Sequence, residues 1–171
     1  MPINKTESCS VSTYQNFDGS NYTVAGVEEK FSTNRGYAAG FLGFGTDFNK
    51  KAGVVFDIKS GLNYDNQGIF NQNLRVRTKM GKGESIQVRF SPLSVDVPVG
   101  EKTNLYLNPH YSGQMDFKKD KWTNSAGVFA GVTQKFKNTS VSLEVQRYNL
   151  QDIKNNSPEN WGINGIISYK F

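Results

Sequence analysis

The segment 161–171, WGINGIISYKF, has the alternation of one complete β-strand. Its odd-numbered positions from 163 onward are apolar or small: Ile163, Gly165, Ile167, Tyr169 and Phe171. Its even-numbered positions are mostly polar, and they fall on the opposite face of an extended chain. Chain termini are usually polar and frayed, so this segment predicts a strand that pairs with neighbours in a sheet.

The same period of two recurs along the rest of the chain, and no segment shows a helical period. Turn-forming groups such as Asp18-Gly19 separate the alternating segments at regular intervals. This spacing predicts a meander in which sequence neighbours pair. We predict ten strands, the first of them the weakest, with eight as the alternative number: 8–17, 20–31, 36–48, 52–64, 70–80, 84–96, 103–114, 125–137, 139–149 and 160–171.

Composition favours one all-β domain over residues 1–171, folded as an antiparallel up-and-down barrel. The mean hydropathy is -0.56, and no apolar run approaches the ~20 residues that a membrane-spanning helix needs. Each predicted strand is instead about ten residues long, which is the length at which a tilted strand crosses a bilayer. Such a strand needs only one apolar residue in two, so a barrel of this kind reads as hydrophilic on average.

Cysteine, histidine and charge narrow the possible classes of site. A single cysteine, Cys9, excludes an internal disulfide, and a single histidine, His110, argues against a histidine-based metal site. We therefore expect no metal and no cofactor. The net charge of +5 is spread along the chain, which favours a solvated surface. Nucleic acid is not an expected partner, because the arginines at 75, 77 and 89 lack aromatic stacking partners on their face.

The Tyr169-x-Phe171 ending of an alternating strand resembles the carboxy-terminal strand of small outer-membrane β-barrels of Gram-negative bacteria. The resemblance implies a porin-like transmembrane barrel of the cell envelope, in contact with outer-membrane lipid or lipopolysaccharide. It also implies that Tyr169 and Phe171 form the assembly signal read by the barrel-assembly machinery. The start MPINKTESCS has no apolar signal region, so the protein is either cytoplasmic or a form without its signal peptide.

A transmembrane barrel turns its polar faces inward. The expected charged or titratable residues of the lumen are Asp57, Lys59, Arg75, Arg77, Lys79, Arg89, His110, Lys135, Glu144 and Lys170. Opposite charges in a narrow lumen predict an ion-paired plug rather than a wide pore. Aromatic residues near strand ends are candidates for interfacial girdles: Tyr37, Phe48, Tyr64, Trp161 and Phe171. The glycines of GYAAGFLGFG, 36–45, predict close packing or a bend.

The alternative architecture is a soluble, lipocalin-like barrel with its apolar faces inside. The sequence alternation would be the same, but the apolar face would point inward and the polar face outward. Such a barrel would bind an apolar ligand. It predicts that Leu74, Val76 and Ile86 line an interior cavity.

A third function is suggested by NPHYSG, 108–113. His110 and Ser112 share one strand face, where a base and a nucleophile could meet. They match the His-Tyr-Ser motif of the outer-membrane lipid A deacylases, which implies a lipid A-modifying hydrolase. The sequence departs from that motif at Gly113, it has no acidic residue at the matching place on the next strand, and three predicted strands follow the motif where that family has one.

Two connections are longer than the others, 115–124 and 150–160. With ten strands and both termini periplasmic, both connections lie on the extracellular side of the membrane, where an extracellular ligand could bind. The first carries a basic cluster that could contact phosphates or another polyanion: Lys118, Lys119, Lys121 and Trp122. The sequence thus predicts a non-enzymatic outer-membrane barrel with a structural, adhesive, export or narrow-pore role.

Overall fold

The computed structural model describes residues 2–16, 21–46, 52–81, 84–150 and 160–171. They form a closed antiparallel barrel of ten strands, in which each strand pairs with its sequence neighbours. The strands are β1 (Asn4–Asn16), β2 (Asn21–Thr33), β3 (Gly36–Thr46), β4 (Ala52–Asn63), β5 (Phe70–Gly81), β6 (Ser85–Val99), β7 (Thr103–Asp116), β8 (Lys121–Lys135), β9 (Thr139–Arg147) and β10 (Trp161–Lys170). The described part of the chain has no helix that is long and apolar enough to cross a membrane.

The barrel closes where β1 pairs with β10, with Val11 opposite Ile167 and Cys9 opposite Tyr169. This pairing explains the alternation of the last segment, because β10 has a partner on each side. The prediction of a ten-stranded meander barrel is confirmed. The first predicted strand, whose sequence signal is the weakest, is present as β1, which has 13 residues and pairs with both neighbours.

The connections lie alternately at the two ends of the barrel. Both termini share one end, called here the terminal end, with the connections that follow β2, β4, β6 and β8. The strand ends that the other five connections join lie at the opposite end, called here the far end. The expected long connections 115–124 and 150–160 both belong to the far end, although 151–159 lie outside the described residues, as does Phe48.

The first of these connections is shorter than predicted. Strand β7 continues to Asp116 and β8 begins at Lys121, so only 117–120 lie between them. The ladder persists because Met115 pairs with Trp122 and because the Asp116 carboxylate closes the turn. It accepts hydrogen bonds of 3.0 Å from the amides of Lys118 and Lys119. Two members of the basic cluster, Lys121 and Trp122, are therefore strand residues.

Side chains alternate between an apolar outer surface and a largely polar interior. On β3, Leu42 and Phe44 are 55% and 72% exposed, whereas Phe41, which precedes Leu42 and lies on the opposite face, is 5% exposed. The buried apolar cluster is small, consisting of Val24, Phe41 and Val55 with Tyr22 packed beside it. The apolar surface of this barrel is thus mainly outside it.

The glycine-rich segment 36–45 packs closely, as predicted. The Phe41 ring lies over the backbone at Gly26 and Gly43, where a Cβ atom would come within 2.5 and 2.8 Å of its Cζ. A side chain at either glycine would therefore displace the ring from the wall. These glycines allow an aromatic ring to lie flat against the inside of the sheet.

A bulge in β6 changes which side chains face inward. The register with β7 shifts between Phe90 and Val95. As a result, Ser91 and Ser94 are both 2% exposed although they are three positions apart. Asp96 then follows Ser94 on the inner face, where its carboxylate accepts a 2.7 Å bond from Asn71.

The turn between β4 and β5 is organised by Asp65. Its carboxylate accepts hydrogen bonds from the amides of Phe70, Ile69 and Gln67. These bonds, that of Phe70 foremost, hold the pKa of Asp65 below its usual value. A carboxyl whose pKa is lower in the folded state stabilises the turn at neutral pH, and this contribution is lost as the pH falls through the folded pKa.

We expect the amide proton shifts of Gln67, Ile69 and Phe70 to titrate together in micelle-bound protein, with a midpoint below the ~3.9 of an ordinary aspartate. Asp65→Asn keeps an acceptor of the same shape but should show a flat profile. A common midpoint at or above the ordinary aspartate value would contradict this account of the turn.

Candidate functional site: a charged lumen

The interior holds a cavity of about 970 Å³. Tyr22 and Thr33, near opposite ends of β2, both line it, so the cavity extends along the strand. Most of its lining is polar or charged. This lumen is the candidate functional site.

An ion-paired cluster centred on Asp57 occupies one wall of the lumen. Arg75 donates to Asp57 Oδ2 through Nε and Nη2 at 3.2 and 2.7 Å. Arg77 donates through Nε to Oδ1 at 2.7 Å and through Nη2 to Oδ2 at 2.8 Å. Asp57 is 1% exposed, so its charge is stabilised almost entirely by these two guanidinium groups.

A second group of charges lies nearer the terminal end. Lys59 forms an ion pair with Glu28 across β3. Lys30 lies over the ring of Tyr37, with its Nζ 4.2 Å from the ring centroid. Tyr37 also donates a 2.9 Å hydrogen bond to Asn73. Tyr37 thus faces the lumen, and its expected place in an aromatic girdle was wrong.

A third network surrounds Glu144 on β9. Its carboxylate accepts a 2.9 Å bond from the Tyr106 hydroxyl and bonds from the amides of Gln146 and Asn164. Tyr148 donates in turn to Gln146. These polar groups tie β7, β9 and β10 together across the interior.

Other predicted lumen residues contact aromatic rings or lie at strand ends. The Lys79 Nζ lies 4.3 Å from the ring centroid of Tyr22. The Arg89 guanidinium lies on the ring of Phe129, with its Cζ at 4.4 Å. Lys135 and Lys170 are exposed at the terminal ends of their strands.

His110 and Ser112 both lie on the inner face of β7, but the structure gives them different partners. Ser112 Oγ is 2.9 Å from Ser125 Oγ. His110 Nδ1 is 3.3 Å from the carbonyl of Asn108, and its ring packs on Phe129. Within the described residues no hydrogen bond joins this histidine to this serine, and no group of His, Cys, Asp and Glu could hold a metal ion.

The apolar interior expected of a soluble barrel is not observed. Val76 and Ile86 are absent from the described lining of the cavity. Leu74 borders it but is 40% exposed. This arrangement argues against an apolar ligand site inside the barrel.

The outer surface carries the remaining predicted residues. Tyr169 and Phe171 are both exposed there and meet edge to face, with ring centroids 5.6 Å apart. Trp161 stacks against the Arg147 guanidinium, with 4.9 Å from Cζ to the ring centroid. Tyr64 is exposed in the turn after β4, where its hydroxyl donates to Gln72 or the Pro92 carbonyl.

An apolar cleft of about 490 Å³ lies on the outer surface towards the far end. Phe90, Tyr111 and Trp122 wall it, and Gly113 leaves room for the Trp122 ring. Beyond it, Lys118 lies in the exposed turn and Lys121 begins β8, while the Nζ of Lys119 is 3.9 Å from the Asp116 carboxylate. The cluster is thus divided, because Trp122 lines the outer cleft whereas Lys121, the preceding residue, lies on the inner face of β8 opposite Asp116.

Three charged residues of the lumen, as far as the structure describes it, were not predicted from the sequence: Glu28, Lys30 and Asp96. Glu28, Glu29 and Lys30 are consecutive, so the alternation of β2 was hidden, although Val24 and Gly26 set its inner face. Asp96 could be placed only with the bulge in β6, whose one sequence signal is Pro92 within an alternating segment.

Comparisons with known proteins show similarity in fold. No family model matches the sequence, and no curated protein matches it. An outer membrane channel from Pseudomonas putida F1 aligns over 100% of this chain and 97% of its own, with 9% identity and a TM-score of 0.51. At such low identity, this likeness shows a shared barrel fold alone.

Two further structures align along nearly the whole chain but with TM-scores too low to support an argument. A de novo designed transmembrane β-barrel covers 97% of this chain and 95% of its own, at 12% identity and a TM-score of 0.46. The N-terminal β-barrel domain of Pseudomonas aeruginosa OprF covers 98% of each chain, at 12% identity and a TM-score of 0.39.

Proposed function

We propose that this protein is an integral barrel of the bacterial outer membrane whose lumen is a narrow passage for small charged solutes. The observation that carries the proposal is the opposite polarity of the two barrel surfaces. Apolar side chains are exposed outside, and ion pairs are buried inside. Closing the sheet in this way satisfies the backbone groups in lipid and leaves no free edge.

The distribution of outward charges supports a membrane belt. From β3 to β8, the outward positions of the described strands carry no charged residue. Lys5, Glu7 and Glu29 lie outside the barrel near the terminal end, where they form ion pairs with one another. At the far end, Arg147 is covered by Trp161. Charges at the two borders of an apolar band are expected of a membrane barrel.

The lumen supports a passage of restricted size. One cavity extends along the strands, but the Asp57 cluster and the Glu144 network project into it from different walls. Small hydrated ions and solutes fit such a space, and a folded chain does not. The same networks also fix the barrel wall, so a structural role is compatible with the passage.

The far-end cleft supports contact with lipid on the outer leaflet. Its aromatic walls suit acyl chains, and Lys118 and Lys119 in the exposed turn between β7 and β8 suit phosphates such as those of lipopolysaccharide. In this orientation the termini are periplasmic. Tyr169 and Phe171, exposed at the end of β10, are then in a position to be recognised by the barrel-assembly machinery.

The membrane belt predicts that the loss of stability caused by an outward-facing arginine on β3 depends strongly on its depth in the bilayer. We expect Leu42→Arg to destabilise the refolded barrel by ~2–4 kcal/mol and Thr46→Arg, on the same face at the strand end, by ~0–1 kcal/mol. Urea unfolding in lipid vesicles measures both, with the faster gel migration of unboiled samples as the test of folding. A monomer that folds in plain buffer without detergent would contradict the proposal.

The passage itself is tested in planar bilayers. We expect a small, stable conductance from the refolded wild type. A folded, inserted protein that gives no current above baseline would remove the passage and leave a structural or adhesive barrel.

A further inference from the structure

The arginines of the lumen differ in whether a carboxylate balances their positive charge. Arg75 and Arg77 share the carboxylate of Asp57. Arg89 has no salt-bridge partner in the described part of the structure, and its Nε atom is buried without a hydrogen-bond partner. Its guanidinium lies on the ring of Phe129, and the carboxylates of Glu144 and Asp57 act on it only from beyond ion-pair distance.

The position of Arg89 makes this lack of compensation costly. Arg89 and Arg75 are directly opposite each other in the β5–β6 register, and both face the lumen. Like charges at opposed positions destabilise a sheet. Asp57 neutralises Arg75 at this point, but a buried charge such as Arg89 ordinarily requires a partner of its own.

We propose that Arg89 is the binding residue of an anion site in the lumen, which takes small oxyanions and carboxylates. The inference deepens the proposed passage and rests on it, because the anion must reach the interior. A guanidinium presents a planar array of N–H donors that matches two oxygens of a carboxylate or phosphate. The Phe129 ring lies against one face of that plane, so the ring itself does not occupy the N–H donors at the edge.

The surroundings of Arg89 suit a small and strongly polar ligand. Ser91 and Asn108 line the cavity beside it and are joined by a 2.6 Å hydrogen bond. Gln87 and Gln114 supply further neutral donors from the same two strands. Glu144 lies on another wall and is occupied by Tyr106. The site therefore offers positive charge and neutral hydrogen-bonding groups, a combination that favours phosphate or acetate over cations.

The proposal is tested by titrating inorganic phosphate and acetate into micelle-bound protein labelled with ¹⁵N-arginine. We expect one Nε–Hε resonance to shift saturably. That shift should disappear in Arg89→Gln and persist in Arg35→Gln, which changes an exposed arginine in the turn after β2. Arg89→Lys keeps the charge but loses the planar donors, so it should weaken binding by about tenfold. No saturable shift, or equal binding in Arg89→Gln, would overturn the proposal.

Planar bilayers separate this inference from the proposed passage. If the wild type conducts, we expect anions to be favoured over cations and this preference to fall in Arg89→Gln but not in Arg35→Gln. Saturable binding without any current would leave the anion site and remove the passage. Current without binding or anion preference would leave the passage and remove the site.

Discussion

Replacing Asp57 by Asn is expected to destabilise the barrel by about 3–5 kcal/mol, because it leaves two arginines in the lumen without their shared counter-charge. Asp57 is 1% exposed and accepts hydrogen bonds from both Arg75 and Arg77. Removal of one member of a buried ion cluster costs more than the cluster itself contributes, since the remaining charges lose their compensation. Urea unfolding of the refolded protein in micelles measures the change.

Two controls make this result specific. Glu7→Gln removes an exposed ion pair with Lys5 and should change the free energy of unfolding by less than ~1 kcal/mol. The triple variant Asp57→Asn, Arg75→Gln and Arg77→Gln removes all three charges and should recover much of the lost stability. If Asp57→Asn proves as mild as Glu7→Gln, the cluster does not hold the wall together.

Replacing Gly43 by Val is expected to lower the free energy of unfolding by about 3 kcal/mol. This is at the upper end of the range for overpacked cores, because part of the clash is with backbone atoms. A Cβ at Gly43 would lie 2.4 Å from the Ala25 carbonyl oxygen and 2.8 Å from Phe41 Cζ. The ring can move aside only by leaving its place against Gly26, and the carbonyl is fixed by pairing of β2 with β3. Thermal unfolding followed by loss of the fast-migrating gel band measures the effect.

Gly40 provides the matched control on the same strand. It lies on the outward face, and a Cβ there would meet nothing within 4 Å. Gly40→Val should leave stability unchanged or raise it by up to ~1 kcal/mol, since valine favours a strand and adds outward apolar surface. Equal destabilisation by both substitutions would show that glycine flexibility, and not the packing of Phe41, matters along β3.

The alternation in the sequence predicted the strand count and most strand positions, because a barrel wall repeats one local rule. It failed where that rule was masked by polar residues or a bulge. In β1 the outward positions include Lys5 and Glu7, so no apolar face marked the strand. In β6 the bulge at Pro92 reversed the alternation, which brought Asp96 inside.

The site was predicted in outline and not in its pairings. Alternation could place Asp57, Arg75, Arg77 and Arg89 on one face, because it follows from the local geometry of each strand. It could not show that one carboxylate serves Arg75 and Arg77 while Arg89 lies on Phe129. Those contacts depend on the register between strands and on reach across the lumen.

The sequence by itself therefore determined the period, number and approximate length of the strands, since these depend on the residue pattern within each segment. Only the tertiary structure decided which face is outside, because the same alternation suits a soluble barrel with the opposite polarity. Closure between β1 and β10 turned the charged faces towards one another. The barrel wall brought Asp57 to two arginines and left Arg89 without an ion-pair partner among the described residues, because ion pairing depends on distance in space and not on spacing along the chain.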